Sequence, residues 1–410
     1  MHKDILVPPD IGPRWIEIDL DAITHNVLTI KSLLQPGTRL MAVVKADAYG
    51  CGAVEVSRAV LEAGADMLGV TTVDEGMELR EQGIEAPILV FAPLSPREVE
   101  EVLSNKLIAT VDNPKVIDAF SILSAPARIH LKINTGMNRF GMEPAQAREC
   151  ILRAEEVPGL VVEGIYTHLA TTPVTGKAFV EKQFHIFRDM ISSLEEQGLT
   201  VPPIKHICNS GAVLNMPHMH LDMVRVGNLL YGQYPFGYQG DQLMLKDPWQ
   251  ARARLVHIRQ VNSGDTVGYG GDFRAKKVTR VGIVPVGFAD GLDVAPQFKP
   301  KSFSDLVRMV MKTILSFFGR RIGTPLARLD GKPLNIVGRI GMQVAAVDLS
   351  KSPQAQPGDA IEVFLRRTTA GSRLPRVYFS QGRLTAVRTI SGSRSYREGY
   401  ASVGAFTSPE

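Results

Sequence analysis

Eight short runs rich in β-branched residues recur along the first 230 residues, and helix-like segments lie between several of them. The runs are "RLMAVVKA" (39–46), "DMLGVTT" (66–72), "APILVF" (86–91), "LIATVD" (107–112), "RIHLKIN" (128–134), "LVVEGIYTH" (160–168), "IKHICNS" (204–210) and "DMVRVG" (222–227). Buried parallel strands read as continuous apolar runs of this length, and a parallel pair needs a crossover between its strands. The intervening segments supply crossovers. "AVEVSRAVLEAGA" places Val54, Val56, Val60 and Leu61 on one side and reaches Gly64, a natural helix stop. "DEGMELREQG" opens with acids and ends at Gly83, and the segment after residue 175 spaces Phe179, Phe184, Phe187 and Met190 helically. Alternation of this kind leaves an open doubly wound sheet or a closed barrel, and a count of eight favours an α/β fold with a (β/α)8 barrel of the triosephosphate-isomerase type.

The grammar changes near residue 243. "ARARLVHIRQV", "VTRVGIVPVG", "LNIVGRIGMQVAAVDL" and "DAIEVFL" are strand-like, and the turns "NSGD", "LDGK" and "PGD" separate them. The expected division is a barrel over 12–242 and a mostly β domain over 243–410. One segment breaks the second pattern. "SFSDLVRMVMKTILSFFG" (302–319) reads as a helix capped at Ser302 or Ser304 and stopped at Gly319. Its polar residues Asp305, Arg308, Lys312 and Ser316 form one narrow stripe. The expectation is a helix buried over most of its surface, with a membrane-surface or subunit-contact role as the alternative.

Charge and cysteine usage narrow the function. A formal charge of +4 on 410 residues gives no footprint for nucleic acid. Cys51, Cys150 and Cys208 stand far apart, in no zinc spacing, as expected of reduced thiols. The start "MHKDILVPPDIGPRW" has no apolar signal core, and no uncharged apolar run is long enough for a membrane span. A cytoplasmic protein is expected.

The first barrel strand ends in an unusual way: "AVVKADAYGCG" (42–52) closes an apolar run on Lys45 and follows it with Gly50 and Gly52. Barrel enzymes place their chemistry at the C-terminal ends of the strands. A lysine there loses hydration, and its amine becomes a usable nucleophile. Taken alone, a lysine that snorkels its head to solvent is the commoner case. The seventh strand ends "CNSG" with Asn209 and Ser210, and the eighth ends "VRVGNLLYG" with Arg225, Gly227 and Asn228. Loops after strands seven and eight are frequent phosphate sites. A strand-one lysine opposite a phosphate cradle points to pyridoxal phosphate.

At this point the motifs form an ordered series. "AVVKADAYGCG" resembles the cofactor-lysine motif of alanine racemases, usually KADAYGHG. The likeness continues through "HLKINTGMNRFGM" (130–142), "GIYTHLA" (164–170), "HICNSGA" (206–212), "MVRVGNLLYG" (223–232), "VGYGG" (267–271), "VGFADG" (286–291) and "VGRIGMQ" (337–343), nearly all of residues 12–365. The resemblance implies a pyridoxal-phosphate isomerase that interconverts L- and D-alanine and supplies D-alanine for peptidoglycan. It implies that Lys45 bonds the cofactor and is the base on one face of the substrate, with Tyr269 the base on the other. Arg225 matches the arginine facing the pyridine nitrogen, and His168 the histidine bonded to that arginine. Tyr49, Asn209, Ser210, Gly227 and Asn228 fall on the cofactor side. Arg139 and Met342 match the residues that hold the substrate carboxylate. Lys132 matches a lysine that is carbamylated in several members; a plain ammonium near Asn134 is the other reading. Homodimers with composite sites are also implied, Tyr269 and Met342 coming from the partner.

Departures from the family pattern are Cys51 for histidine, Phe288 for tyrosine, Gly341 for cysteine and Gln343 for an acid. The family's C-terminal "PYE" segment has no clear match. These changes leave open a racemase of broader or different specificity, for serine, lysine or arginine, with Phe317 and Phe318 able to refill the opening. A basic amino-acid decarboxylase is opposed by Arg225, where that group uses an acid. A non-catalytic single-barrel cofactor carrier is opposed by the β domain and Tyr269.

Overall fold

The computed structural model describes residues 8, 11–123, 126–171, 173–235, 238, 243–294, 300, 303–317, 325–371, 373–390 and 392–395. Two compact units emerge: Asp19–Pro248, and the segment ending at Ile18 together with Trp249 onward. The first strand, β1 (Arg14–Asp19), pairs antiparallel with β10 (Trp249–Arg254) and so goes with the second unit, and the barrel unit begins at Asp19 instead of the expected residue 12.

The first unit is a parallel sheet of β2 (Arg39–Val43), β3 (Met67–Val70), β4 (Ile88–Pro93), β5 (Ile108–Val111), β6 (Ala127–Lys132), β7 (Leu160–Tyr166), β8 (Ile204–His206) and β9 (Met223–Val226). Strand β2 pairs in parallel with both β3 and β9, so the first strand meets the last. The remaining seam is closed by Arg225 N–H donating to Cys208 O at 3.0 Å and Asp222 N–H donating to Lys205 O at 3.2 Å. The eight expected runs are these eight strands. Met41, Met67, Leu89, Ile108, Tyr166, Ile204 and Met223 share one buried cluster, with Phe91 packed on it. Gly69 leaves room for that ring, because a Cβ there would lie 2.4 Å from Phe91 Cζ. Filling the interior with side chains makes the barrel a core whose one open end carries the loops.

Helices Ala53–Glu62, Val73–Glu81 and Pro173–Glu196 match the expected crossovers. The second starts on a capping box, in which Thr72 and Glu75 satisfy each other's backbone amides.

In the second unit an eleven-stranded sheet runs in the order β11 (His257–Val261), β14 (Thr279–Val284), β17 (Ala345–Asp348), β16 (Lys332–Val337), β15 (Ala327–Leu329), β18 (Ala360–Val363), β10, β1, β19 (Arg376–Ser380), β20 (Arg383–Thr389), β21 (Gly392–Ser395). The small pair β12 (Thr266–Val267) and β13 (Phe273–Arg274) forms its own ribbon. Two of the long expected strands prove to be pairs. "LNIVGRIGMQVAAVDL" breaks after Val337, where Gly338 takes φ 71° and a Cβ would meet Val267 O at 2.4 Å. "ARARLVHIRQV" breaks between Arg254 and His257.

The helix Phe303–Phe317 forms as expected, but its environment does not. Phe303, Leu306, Val307, Met309, Val310, Met311 and Ile314 are all exposed in the single chain. This overturns the expectation of a mostly buried helix: a narrow polar stripe records what the helix avoids, not whether anything covers the rest. Ser304 is its second residue and not its cap, while Ser302, Phe318 and Gly319 lie outside the described residues, as does the side chain of Phe317. Among the described residues no helix is long and apolar enough to cross a membrane.

Candidate active site

Lys45 stands one residue beyond β2, after Val44, and starts a turn of unusual hand. Ala46, Asp47, Ala48 and Tyr49 take φ of 51°, 55°, 50° and 57°, and Gly50 follows at 85°. Residues with a Cβ pay about 1–2 kcal/mol each in this region, so the surroundings must hold the turn. Glu75 does much of this. Its carboxylate accepts from the amides of Ala46 at 2.6 Å, Thr71 at 2.6 Å and Thr72 at 3.3 Å. Asp47 in turn accepts from Ala53 N–H at 2.9 Å. The amine of Lys45 is half-buried, and burial together with the Arg139 charge lowers its pKa, against a smaller opposite effect of Glu75. A lowered pKa raises the fraction of free amine that can attack a carbonyl.

Tyr49 stacks on Tyr231 with ring centroids 4.6 Å apart. Its hydroxyl points to the backbone of Gly227, where a Cβ would lie only 2.4 Å away. Gly227 N–H donates to Ser210 Oγ at 3.1 Å. Tyr49, Ser210 and Gly227 therefore converge from three separate loops. Asn228 is exposed and opens the short turn Asn228–Tyr231. Asn209 is placed differently: its Oδ1 caps the helix Ser210–Asn215 by accepting from Gly211 and Ala212 N–H at 3.0 and 3.1 Å.

Arg225 is buried in β9. Its Nη1 donates to His206 Nδ1 at 2.8 Å and to His206 O at 3.1 Å. Its Nη2 donates to Thr167 O at 2.8 Å, Ile207 O at 3.2 Å and His168 Nδ1 at 3.3 Å. None of these bonds uses Nε. Burial brings its pKa down to about 10, which leaves it a cation at neutral pH. Burial, then Arg225 and its neighbours, push His168 well below the ordinary imidazole value, so this ring is neutral.

Lys132 is buried and donates to Phe91 O at 3.0 Å, with the rings of Phe140 and Tyr166 5.1 and 5.3 Å away. Burial, followed by the charges of Arg225 and Arg139, lowers its pKa to about 7, and Lys45 adds to the repulsion. Asn134 bonds instead to Asn138 and Glu143. Lys132 thus feels Arg225, Arg139 and Lys45, and Lys45 feels Arg139, while Asp112 and Glu75 act in the opposite sense.

Tyr269 and Met342 belong to the β unit. Tyr269 stands on a three-residue turn between β12 and β13, flanked by Gly268, Gly270 and Gly271, all at positive φ. Gly341 O accepts from Phe288 N–H at 3.1 Å, and Met342 O accepts from Ala289 N–H at 2.9 Å. The motifs "VGFADG" and "VGRIGMQ" are therefore neighbours, so close that a Cβ on Gly287 would sit 2.1 Å from Gly341 O. Tyr269 is 77% exposed and Met342 66% exposed in the single chain.

The family model for the alanine racemase N-terminal domain matches residues 18–235, and that for the alanine racemase C-terminal domain matches residues 249–377. An alanine racemase from a Nostoc species is 36% identical over 354 residues, 85% of each chain. The chain belongs to the alanine racemase family. A second alanine racemase, from Methanococcus maripaludis, is 34% identical and covers 86% of this chain and 89% of its own. Among solved structures, the alanine racemase of Clostridium difficile superposes with a TM-score of 0.81 at 29% identity, over 92% of this chain and 98% of that one. The family consists of pyridoxal-phosphate-dependent isomerases, and its fold of an α/β barrel followed by a mostly β domain is the one found here.

Sequence reasoning passed over Glu75, His130, Glu163 and His206. His130 and His206 stood inside quoted motifs, but nothing in their spacing from Arg225 marks them as neighbours. Glu75 could have been noticed as the acid three residues after the Thr72 cap.

Proposed function

We propose that the chain interconverts L- and D-alanine with pyridoxal phosphate as its cofactor, Lys45 and Tyr269 acting as the two bases. The observation that carries this reading is the convergence of Lys45, Lys132, Arg139 and Arg225 at one end of the barrel. A phosphate and a carboxylate are the natural ligands of such a site.

The donor set fits the cofactor. Tyr49, Ser210 and the bare Cα of Gly227 form a cradle that any Cβ would fill. Lys45 offers an amine whose proton is already weakened by burial. When bound, the cofactor supplies an electron sink that makes the α-proton of an amino acid removable. Arg225 remains a donor-only cation, so it would meet the ring nitrogen as a hydrogen-bond donor without titrating near neutral pH. His168 accepts from Arg225 at Nδ1, which leaves its Nε2 as a donor.

Racemisation needs a base on each face, so that a proton leaves one side and returns on the other. Lys45 serves one face. Tyr269 serves the other and, with Met342, comes from a second copy in a homodimer. The high exposure of both in one chain supports this reading. Arg139 and the Met342 backbone hold the substrate carboxylate. A carbamate on Lys132 would replace an ammonium that its neighbours repel with an anion that Arg139 attracts. The three cysteines are buried and outside disulfides, which supports the reading of a cytoplasmic protein. The relatives named above are alanine racemases and lend nothing to the alternative of a larger substrate.

Borohydride reduction of the purified protein tests the assignment. The cofactor label should map to the peptide containing Lys45, and Lys45→Ala should lose both the label and the racemase activity. A label on any other lysine overturns it.

A further inference from the structure

Below Arg225 the barrel interior holds polar side chains that no role above uses. We propose that Glu163, His130 and His206 form a buried positioning chain that holds the Arg225 guanidinium, with the proton of each histidine on Nε2. The proposal rests on the reading that Arg225 faces the cofactor ring.

The direction of every bond follows from one fact: a guanidinium can only donate. Arg225 Nη1 lies 2.8 Å from His206 Nδ1, so that nitrogen is an acceptor. Burial and the Arg225 charge keep His206 neutral, so its one proton is on Nε2. His206 Nε2 lies 2.8 Å from His130 Nδ1, which must then accept, and the proton of the neutral His130 is on its own Nε2. That Nε2 lies 3.7 Å from Glu163 Oε2. Both of these atoms are buried, and neither has a hydrogen-bond partner among the described residues. A donor without an acceptor thus faces an acceptor without a donor. The other oxygen of Glu163 is held by Arg128 at 3.3 Å.

The backbone is shaped for this contact. Register between β6 and β7 slips from Ile129 opposite Val162 to His130 opposite Gly164, and the residue left over is Glu163. Such a bulge re-aims the extra side chain. Gly164 is bare where a Cβ would lie 2.5 Å from His130 Nδ1. Tyr166 stacks on the His206 ring at 4.7 Å and lies under the Arg225 guanidinium at 5.1 Å. The chain therefore runs from a carboxylate to a guanidinium with both rings locked. A carboxylate behind a histidine makes its far nitrogen a better acceptor. None of the three residues touches substrate in this reading, so all are positioning residues.

Nitrogen-15 NMR of histidine-labelled, cofactor-free protein reads the tautomers directly and does not depend on the cofactor assignment. His206 and His130 should both appear as neutral Nε2–H rings. Glu163→Gln keeps a carbonyl acceptor and should preserve both tautomers and a kcat within about threefold of the parent. Glu163→Leu should mix the tautomers and lower kcat about tenfold with a smaller change in KM. An Nδ1–H ring at either position in the parent overturns the proposal, and so do tautomers and kcat that do not respond to Glu163→Leu. If the leucine variant does not fold, the parent spectrum alone decides. Failure of the borohydride mapping to Lys45, with the tautomers as stated, would overturn the Arg225 reading and leave the chain itself in place.

Discussion

Lys132 shows how far a single residue departs from its ordinary chemistry. Burial and the nearby cations lower its pKa to about 7 from 10.5. Below about 7 the folded protein must carry a buried ammonium, and the penalty is fully present. Between 7 and 10.5 the unfolded chain binds the proton and the folded chain does not, so folding becomes more favourable as pH rises. In bicarbonate-free buffer the parent should therefore gain stability relative to Lys132→Met at about 1.4 kcal/mol per pH unit over that window. Urea unfolding at pH 7 and pH 9 checks this. A stability difference that stays constant with pH would show that the ammonium is not penalised. The same residue explains what was legible at this scale. Its place in "HLKIN" singled it out, but its repulsion from Arg225 and Arg139 exists only once β6, the loop that follows it and β9 come together.

At the level of elements, the left-handed turn after β2 depends on an acid from the next crossover. Glu75 caps its own helix and also accepts from Ala46 N–H. Removing it leaves up to three backbone donors short of an acceptor, at about 1–3 kcal/mol for a buried one. Glu75→Ala should lower the melting temperature by several degrees. It should also slow cofactor uptake by the cofactor-free protein, because the turn that aims Lys45 relaxes. Glu75→Gln, which still offers one acceptor oxygen, should recover part of both. Uptake at the parent rate in Glu75→Ala would mean the turn holds itself. The capping signal was readable as Thr72 followed by Glu75, whereas the second use of the carboxylate was not: it spans 29 positions and arises from strand pairing.

For the whole molecule, the exposed Tyr269 and Met342 are the strongest support for a shared site. Lys45→Ala and Tyr269→Phe should each be inactive as homodimers. Mixed under conditions that exchange subunits, they should regain activity, since one of the two sites in a heterodimer keeps both bases. Mass analysis of the mixed species establishes exchange. No activity after proven exchange would contradict a site built from two chains.

The sequence by itself determined the barrel, because eight apolar runs separated by helical crossovers have few other ways to bury themselves. Ordered motifs also identified the family and named Lys45, Arg225 and Tyr269. Four matters were decided only by the tertiary structure. β1 joins the β unit because its partner lies more than 230 residues away, at Trp249–Arg254. The helix Phe303–Phe317 stays uncovered in the single chain because amphipathic spacing specifies a face and not its neighbour. Asn209 spends its oxygen on a helix cap, and Glu163, His130 and His206 line up behind Arg225, because hydrogen-bond direction is set by which atoms meet and not by their order along the chain.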